Sequence, residues 1–354
     1  MEKVLAEELQ ELEFQDLTPI VGGVEFSGDW YQVWRANVYS RTATRILVRL
    51  GEFPAVHLSQ LDKKARKFPW QEYLKAQHPV RVEVVSRKSK IYHARAAAER
   101  IENAIVYSVG NRISQDADIC IKVRIVKNLV KISIDSTGEG LHKRGYKFST
   151  GKAPIRETLA AAFLRMCKFD PSQPLIDPMC GSGTFVIEAA EIAVGQAPGK
   201  RRVFSFQKFK SFDSRAFEML FLDKKKITKV ELHLLGYDRD NGAIKNSRQN
   251  AQSANVSDIT NFNHQPISDL VPLSNQCGLI IFNPPYGSRI GDKKKLYALY
   301  AKIGTVLTSK FPGWRVGLIT SDRSLAKTTQ IKFSFVSEPV SHGGLKVRLY
   351  HATL

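Results

Sequence analysis

DPMCGSGTF, residues 177–185, follows an apolar run and opens a segment with helical spacing, TFVIEAAEIAV. Gly181 and Gly183 allow the backbone to turn sharply and approach a ligand closely, and the amino terminus of a following helix carries partial positive charge. A strand, a glycine-rich turn and a helix in this order are typical of nucleotide-binding α/β folds. Val186 stands where that fingerprint has its third glycine, so an ordinary tight turn stays open as an alternative.

Strand and helix patterns alternate around this turn. The runs PLIDPMC, KVELHLLGYD, CGLIIFN and RVGLITSD are separated by segments with helical spacing, which predicts a parallel sheet with crossover helices. Two final runs joined by SHGG predict a closing hairpin. Residues 1–150 lack the alternation, and a hairpin is predicted there with its turn near Asn128. We therefore expect an α+β region at 1–150 and an α/β region at 151–354.

The net charge is the strongest signal in the composition. The 354 residues include 53 Lys and Arg against 34 Asp and Glu, a formal charge of +19. Such an excess favours a polyanionic partner, although charge alone does not separate RNA, DNA and an acidic membrane surface. A membrane partner is disfavoured, because no apolar run approaches the ~20 residues of a spanning helix and no basic amphipathic helix is evident. The amino terminus does not resemble a signal peptide, so we expect a cytoplasmic protein.

The cysteines give no sign of a metal site. Cys120, Cys167, Cys180 and Cys277 lie far apart, without a CxxC or a Cys/His pair at metal-binding spacing. We expect reduced cysteines, three of them acting as small buried hydrophobic residues, and no bound metal.

Two further segments end predicted strands and are expected at the same edge of the sheet as the glycine turn. GYDRD places Asp238 at the end of the next strand, where its carboxylate can bind ribose hydroxyls or cap the following helix. IFNPPYG, residues 281–287, ends the strand run CGLIIFN abruptly, because proline cannot donate a ladder hydrogen bond. Open α/β sheets bind ligands outside the carboxyl ends of their strands. The sequence therefore predicts one crevice lined by both segments and the glycine turn.

The NPPY residues suit a planar amino group. Asn283 offers an amide oxygen, Pro284 a carbonyl whose direction the ring restricts, and Tyr286 a face on which a base can stack. The lone pair of such an exocyclic amine is delocalised into the ring, which makes the nitrogen a poor nucleophile. Accepting both of its N–H bonds favours a tetrahedral nitrogen and localises that pair.

DPMCGSGTF, GYDRD and NPPYG, in this order and spacing, resemble the class I S-adenosylmethionine-dependent amino-methyltransferases. With DSTGEGLHKRGYK, GKAPIRETLAAA and NPPYGSRIGD, the chain is similar to the bacterial THUMP-domain RNA guanine-N2 methyltransferases. The resemblance implies a Rossmann-like, seven-stranded and mostly parallel sheet at 151–354, preceded by ferredoxin-like and THUMP modules. It also implies S-adenosylmethionine as cofactor and RNA as partner, ribosomal RNA first and transfer RNA as an alternative. The oligomeric state is left open.

The same resemblance assigns residues. Gly181 and Gly183 would pass under the cofactor's methionine and ribose, Asp177 would lie near its amino group, and Asp238 would hold the ribose. Asn283, Pro284 and Tyr286 would hold the target guanine, which would be extruded from its stack.

Two assignments concern the rim of the cofactor pocket. The turn from Ala153 to Thr158, with Pro154, would close the pocket. Pro266 stands where the family often has the acidic residue that meets adenine, so either Asp269 serves from a shifted loop or backbone groups hold the adenine.

Several basic stretches are candidates for RNA contact, each with a solvated or structural alternative. KRRVFSFQKFKSF (200–212) interleaves cations with phenylalanines, either as a base-stacking surface or as a strand with core aromatics. HKRGYK (142–147) is either a phosphate contact or a solvated hinge. The remaining candidates are Arg289 and Lys293 to Lys295 after the NPPY turn, and Arg81, Arg87, Lys88 and Lys90 in the first region.

Rival functions stay open at this point. An NPPY turn serves adenine N6 in DNA or RNA and a protein glutamine amide equally well, although the basic first region favours RNA over glutamine. A non-catalytic RNA-binding or ribosome-assembly protein would be expected to have a damaged glycine loop or NPPY turn, and neither is visible in the sequence.

Overall fold

The computed structural model describes residues 1–147, 154–221, 233–272, 276–287 and 293–354. The chain divides into two compact units. The first comprises Met1–Phe26, His142–Arg201 and Lys225–Leu354, and the second comprises Ser27–Leu141 and Arg202–Lys224. The units therefore interleave along the chain, whereas the sequence analysis places one boundary at residue 150.

The helices in chain order are α1 (Glu2–Glu11), α2 (Trp30–Tyr39), α3 (Leu58–Arg66), α4 (Ala94–Val109), α5 (Glu157–Met166), α6 (Thr184–Ala193), α7 (Ser214–Met219), α8 (Asn241–Ser253), α9 (Lys293–Lys310) and α10 (Arg323–Thr328). The strands are β1 (Thr18–Ile20), β2 (Gly23–Glu25), β3 (Leu47–Pro54), β4 (Val80–Arg87), β5 (Ile119–Val126), β6 (Leu129–Asp135), β7 (Leu175–Asp177), β8 (Leu234–Asp238), β9 (Thr260–His264), β10 (Leu279–Phe282), β11 (Arg315–Thr320), β12 (Phe335–Val336), β13 (Val340–His342) and β14 (Leu345–Thr353).

The second unit is built on a four-stranded sheet with strand order β3-β6-β5-β4. Strands β5 and β6 form the predicted hairpin, whose two-residue turn has positive φ at both Lys127 (50°) and Asn128 (64°). Strands β4 and β5 are parallel. Helices α2 and α3 are not among the elements predicted from the sequence, and a 3-10 turn at Trp70–Glu72 precedes β4.

The stretch KRRVFSFQKFKSF is part of the core of this unit, so its interpretation as a base-stacking surface is wrong. Phe204, Phe206 and Phe209 are at most 1% exposed. The ring of Phe206 stacks on Trp34 at a centroid distance of 6.1 Å, and its backbone N–H donates to the Ser136 carbonyl (3.0 Å). The segment forms a short 3-10 turn rather than the alternative strand.

The first unit contains the expected mostly parallel sheet. Seven strands lie in the order β12-β14-β11-β10-β7-β8-β9, and β13 pairs with β14 beside this path. Strands β11, β10, β7, β8 and β9 run parallel, whereas β14 is antiparallel to β11 and β12. The fold predicted from the alternation of strands and helices is thereby confirmed, including the closing hairpin.

Strand β10 shows why this sheet needs continuous apolar runs. Leu279 and Ile281 face a core cluster that includes Phe163 of α5 and Phe185 of α6. Ile280 and Phe282 face the opposite cluster, which includes Tyr300 of α9. A strand covered on both faces has no solvent side, so every position is apolar.

Three cysteines, Cys120, Cys167 and Cys180, are buried, and Cys277 is exposed; all four are free thiols. Within the described ranges, no helix is long and apolar enough to cross a bilayer.

Candidate active site

The carboxyl ends of the parallel strands bring the predicted residues to one edge of the sheet. Asp177 ends β7, Asp238 ends β8, and Asn283 directly follows β10. Because β7 pairs in parallel with both β8 and β10, these three positions lie on adjacent strands. The prediction that they share an edge therefore agrees with the observed strand order.

The end of β8 accepts two hydrogen bonds from the glycine loop. Asp238 Oδ2 accepts a hydrogen bond from the Gly181 N–H (3.0 Å), and the Tyr237 carbonyl accepts one from the Cys180 N–H (2.9 Å). The alternative role of Asp238 as a helix cap is wrong, because Asp240 is the N-cap of α8 and accepts from the Gly242 N–H (2.8 Å). The Asp238 carboxylate is thus fixed beside the loop, half-buried and oriented by backbone donors.

The two loop glycines differ in their surroundings. Gly181 has φ +54° and no atom within 4 Å of the place a Cβ would take. Gly183 has φ +81°, and a Cβ there would lie 3.0 Å from both the Phe262 ring and the Ser247 Cβ. Gly183 therefore lets β9 and α8 pack closely beneath the loop, whereas Gly181 leaves space for a ligand.

Asp177 is a buried carboxyl group beside the loop. It is 2% exposed, and its Oδ1 accepts from the Met179 N–H (3.1 Å). Burial raises the pKa of Asp177 well above the ordinary value, and the neighbouring Asp238 charge raises it further. A cationic ligand group nearby would favour the ionised form.

The NPPY turn holds an acceptor without a donor. The Asn283 side-chain oxygen is inaccessible to solvent and has no hydrogen-bond partner among the described residues. The Pro285 carbonyl accepts from the Tyr300 hydroxyl (3.3 Å), which anchors the turn to α9. No donor from the described part of the chain reaches the Pro284 carbonyl. No described residue therefore donates a hydrogen bond to either of the two acceptors predicted to hold an amine.

Tyr286 closes the turn with a half-buried ring that packs against both core clusters. Burial raises the pKa of Tyr286 to about 12, so the phenol stays neutral at physiological pH. The next residue, Gly287, has φ +82°, and a Cβ there would lie 3.5 Å from Leu345 Cδ1 at the start of β14. The closing hairpin therefore borders the turn.

The HKRGYK stretch lies inside the first unit, which excludes both a solvated hinge and a phosphate contact for its central residues. Arg144 and Tyr146 are at most 1% exposed. Arg144 Nη2 pairs with Glu188 Oε1 of α6 at 3.3 Å. Sequence reasoning missed this role because the acidic partners come from helices far along the chain.

Lys147 connects the segment after residue 153 to the glycine loop. Its Nζ pairs with Glu157 Oε1 (2.7 Å) and donates to Thr184 Oγ1 (2.9 Å), in the first turn of α6. Thr158 is buried next to Glu157 at the start of α5, and Pro154 is half-buried. Their assignment to the cofactor pocket stays a prediction, and Ala153 lies outside the described residues.

The residues predicted to contact the adenine lie after β9, at the same edge of the sheet as the glycine loop. The Gln265 N–H donates to the Asp238 carbonyl (2.9 Å), which brings the segment after β9 next to β8. Pro266 and Asp269 are both exposed, and Asp269 Oδ1 accepts from Ser268 Oγ (2.9 Å). The Asp269 contact and the backbone alternative both stay predictions.

His342, in β13, is a polar residue that sequence reasoning missed. It is 7% exposed, and its Nδ1 has no partner within the described ranges. Burial lowers the pKa of His342, and the charges of Arg156 and Lys147 lower it further. Its cross-strand neighbour is Leu345, the residue that borders the NPPY turn. The only sequence signal was its position beside the Gly343–Gly344 turn.

Of the cations after the NPPY turn, Lys293, Lys294 and Lys295 form the exposed first turn of α9. Arg289 lies outside the described residues.

The site residues fit a nucleoside cofactor with cationic groups. The open space over Gly181, the Asp238 carboxylate held beside it and the buried Asp177 together offer room for a ribose and negative charge for a cation. Among the residues that the structure describes, no group of three His, Cys, Asp or Glu side chains is arranged to hold a metal.

Comparison with known families agrees with this site. A model of a methyltransferase domain described as RMKL-like matches residues 144–350, more than half of the chain. The chain belongs to the RMKL-like methyltransferase family. A ferredoxin-like domain described for RlmL matches residues 1–47, and a THUMP domain matches residues 55–135. The family and the module order inferred from the motifs are thereby confirmed.

Individual relatives are similar over nearly the whole chain. A protein of Synechocystis sp., named provisionally as an RNA methyltransferase, is 33% identical over 99% of this chain and 93% of its own length. The ribosomal RNA large subunit methyltransferase K/L of Vibrio cholerae is 33% identical over 94% of this chain and 49% of its own length. The chain thus spans about half the length of the K/L relatives.

A solved structure shows the same fold with a product-like ligand. SMU.472, provisionally named a methyltransferase, was crystallised with SAH (S-adenosylhomocysteine). It is 29% identical to this chain, with a TM-score of 0.89, and the match covers 99% of this chain and 94% of that one.

Proposed function

We propose that this protein transfers a methyl group from S-adenosylmethionine to the exocyclic N2 amine of a guanine in large-subunit ribosomal RNA. The observation that carries the proposal is the pair of acceptors, Asn283 Oδ1 and the Pro284 carbonyl, that no described residue satisfies. They follow β10, next to the strand that leads into the glycine loop. The names of the K/L relatives support ribosomal RNA as the substrate, and the charge of +19 supports a polyanionic one.

The NPPY turn prepares the amine for attack. A bound S-adenosylmethionine supplies an activated methyl group, so the chain needs to position the amine and accommodate its charge. Asn283 and Pro284 each accept one N–H, which directs the nitrogen lone pair away from the ring of the base. Tyr286 stacks on the extruded base and, being neutral and packed between two core clusters, keeps it in one plane.

The cofactor contacts follow from the glycine loop. Gly181 passes under the ligand, Asp238 accepts from the ribose hydroxyls, and Asp177 faces the amino group. Gly183 and Lys147 shape the loop from behind, through Phe262 and Thr184 respectively. Pro154, Thr158 and Asp269 complete the pocket in this proposal.

The proposal also gives each region of the chain a separate role. Residues 1–150, together with residues 202–221 that belong to the second unit, would bind RNA, and the rest of 151–354 would carry the transfer. The acceptor pair suits adenine N6 equally, and a transfer RNA substrate needs no change of site, so the experiment has to distinguish these cases.

Mass spectrometry of nucleosides from a strain that lacks the gene tests the proposal. We expect N2-methylguanosine to fall in ribosomal RNA and to return when the gene is restored. A loss confined to transfer RNA would reassign the substrate, and a loss of N6-methyladenosine would reassign the base. Unchanged nucleosides in both pools would overturn the proposal.

A further inference from the structure

The tip of the closing hairpin holds a buried histidine to which the proposed function gives no role. His342 ends β13, and its ring nitrogen Nδ1 is inaccessible to solvent and has no hydrogen-bond partner in the described part of the chain. A buried polar atom without a partner destabilises a fold and is rare in native proteins. An apolar side chain would avoid this cost, so packing alone does not account for a histidine here.

A tight turn fixes the face of the hairpin on which His342 lies. Gly343 and Gly344 have φ of 56° and 82°, the positive values that a two-residue hairpin turn needs. His342 and Leu345 are therefore directly opposite each other. Side chains in such a pair share one face, with their Cβ atoms about 5 Å apart. The position of Leu345 thus gives the position of the imidazole.

That face of the hairpin covers the NPPY turn. Leu345 Cδ1 lies 3.5 Å from the position that a Cβ of Gly287 would take, directly after Tyr286. Val347, two residues further along β14 and on the same face, belongs to the core cluster against which Tyr286 packs. His342 therefore lies beside the turn that is proposed to hold the target base.

The surroundings of His342 keep its imidazole neutral. Burial lowers the pKa of His342, and two cations lower it further: Lys147, and Arg156 at the N-cap of α5. A neutral imidazole carries one ring proton, and with that proton on Nε2 the buried Nδ1 is a hydrogen-bond acceptor. His342 thus offers a lone pair, rather than a charge, to a group bound at the NPPY turn.

An extruded guanine needs one acceptor more than the NPPY turn supplies. Its base-pairing edge carries the two N–H bonds of the N2 amine and, on the adjacent ring atom, the N1–H. Asn283 and Pro284 accept from the amine in the proposed function, which leaves the N1–H. Extrusion removes the base-pairing partner of this N–H, so a pocket that encloses the base has to replace it.

We propose that His342 Nδ1 accepts a hydrogen bond from the N1–H of the target guanine and thereby selects guanine over adenine. Adenine carries its amine next to an unprotonated N1, whose lone pair would face the lone pair of Nδ1. A site built to bind an N–H discriminates strongly against a base that lacks it. The NPPY turn accepts either amine equally, so His342 supplies the discrimination that the turn lacks. The inference rests on the proposed function, because it names the residue that selects the base at the same site.

Methylation of large-subunit ribosomal RNA from the strain that lacks the gene tests this role, with the RNA supplied both purified and within ribosomal subunits. The full chain is compared with His342→Leu, which removes the acceptor, and with His342→Asn, which keeps an amide oxygen near the place of Nδ1. Mass spectrometry separates N2-methylguanosine from N6-methyladenosine, and titration calorimetry gives the affinity for S-adenosylhomocysteine.

His351→Leu is the matched control. His351 is a half-buried histidine towards the other end of β14, and its Nε2 also has no partner among the described residues. It therefore shares the chemistry of His342 without its place beside the NPPY turn.

We expect His342→Leu to lower kcat/KM for N2-methylguanosine formation about 10- to 100-fold, with unchanged cofactor affinity. Its Tm should equal or exceed that of the wild type, because an apolar side chain replaces a buried polar atom without a described partner. His342→Asn should retain most of the activity, and His351→Leu should retain all of it.

Two sets of results would contradict these expectations at different levels. Wild-type activity in His342→Leu, or an equal loss in His342→Asn, would overturn the role of His342 alone. A lowered Tm together with weaker cofactor binding in His342→Leu would do the same, since it would show a structural role. Formation of N6-methyladenosine by the wild-type chain, or no methyl transfer to either form of the RNA, would overturn the proposed function as well.

Discussion

Asn283 is the side chain on which the proposed chemistry depends most directly. Its oxygen is buried and receives no hydrogen bond from a described residue, a condition that costs about 1–3 kcal/mol in a folded protein. An amine of the substrate would donate a hydrogen bond to this oxygen. That hydrogen bond becomes strongest as the nitrogen becomes positively charged. The residue is thus expected to contribute more to the transition state than to cofactor binding.

We predict that Asn283→Ala lowers kcat about 100-fold, the usual order for removing one polar group aimed at developing charge. The affinity for S-adenosylmethionine should stay close to wild type, because the side chain faces the target amine. Steady-state kinetics and isothermal titration measure the two effects. Asn261→Ala, at an exposed position of β9, is the control and should leave both unchanged. Equal turnover in the Asn283 variant and the wild type would refute the role.

We predict that Asp177 makes cofactor affinity depend on pH. Its pKa in the folded protein is raised by burial and by Asp238, and a cationic ligand requires the ionised form. Affinity should therefore rise with pH up to the raised pKa and level off above it, with a proton released on binding.

The raised pKa of Asp177 affects the stability of the ligand-free fold in the opposite direction. A raised carboxyl pKa means that the ligand-free fold loses stability as pH rises from the ordinary aspartate pKa of about 3.9 towards the folded value. Asp177→Asn should therefore raise the Tm at neutral pH while weakening cofactor binding and flattening its pH profile. Titration calorimetry and thermal unfolding across pH measure both. Asp258→Asn, exposed in the same unit, should keep the wild-type profile; an unaltered profile in Asp177→Asn would contradict this account.

Single residues show how far the sequence could specify the site. Glycines at 181 and 183 were assigned one role, yet only Gly181 faces open space while Gly183 accommodates Phe262. Asp238 and the cap Asp240 could not be distinguished in GYDRD, since either is at a suitable distance from α8. Such differences depend on side chains from β9 and α8, which no local pattern specifies.

At the scale of elements, buried ion pairs hold the start of α5 and the helix α6. Lys147 and Glu157 are 11% and 5% exposed, and Arg201 Nη1 binds the fully buried Glu191 Oε1 at 2.8 Å. Removing one partner of a buried pair leaves an unpaired charge in the interior, which costs about 3–5 kcal/mol. Lys147 also donates to Thr184 in the first turn of α6, directly after the glycine loop.

We predict that Lys147→Met destabilises the fold by about 3–5 kcal/mol, because Glu157 stays buried and Thr184 loses its donor. Adding Glu157→Gln should recover a large part of this loss. Chemical denaturation monitored by circular dichroism gives the free energies of unfolding. Lys3→Met, which removes an exposed partner of Glu7, should change stability by less than about 0.5 kcal/mol. A double variant no more stable than Lys147→Met would show that the pair is not the cause.

Strands and helices were easiest to predict where the spacing of the apolar residues and the alternation of strand and helix indicated the same fold. The strands β7, β8, β10 and β11 follow from apolar runs between helical segments, and their common edge follows from parallel pairing. The segments 142–147 and 200–212 were harder, because their cations and aromatic rings resemble a surface until the partners, Glu188 and Trp34, are known.

For the whole molecule, the second unit needs two separate pieces of chain. Trp34 packs against Phe206, Phe212 and Phe217, which come after the glycine loop and α6. Arg202 Nη1 donates to the Gly140 carbonyl (2.9 Å), so the two pieces meet near residue 140. A boundary at residue 150 would therefore leave this core incomplete.

We predict that a fragment of residues 27–141 folds poorly, whereas the same fragment joined by a short linker to residues 202–221 unfolds cooperatively. Near-UV circular dichroism and thermal scans compare the two. Phe206→Ala in the joined fragment should lower stability by about 3–5 kcal/mol. Equal Tm values for the short and the joined fragment would contradict the role of the second piece.

The central claim is that a methyl donor and a base amine meet between the glycine loop and the NPPY turn. A crystal structure of this protein with S-adenosylhomocysteine tests it most directly, by the position of the ligand sulfur. We predict that the ribose hydroxyls bind Asp238, that the chain of the ligand crosses Gly181, and that the sulfur faces Asn283. A sulfur directed away from Asn283, with no room for a purine between them, would contradict the account.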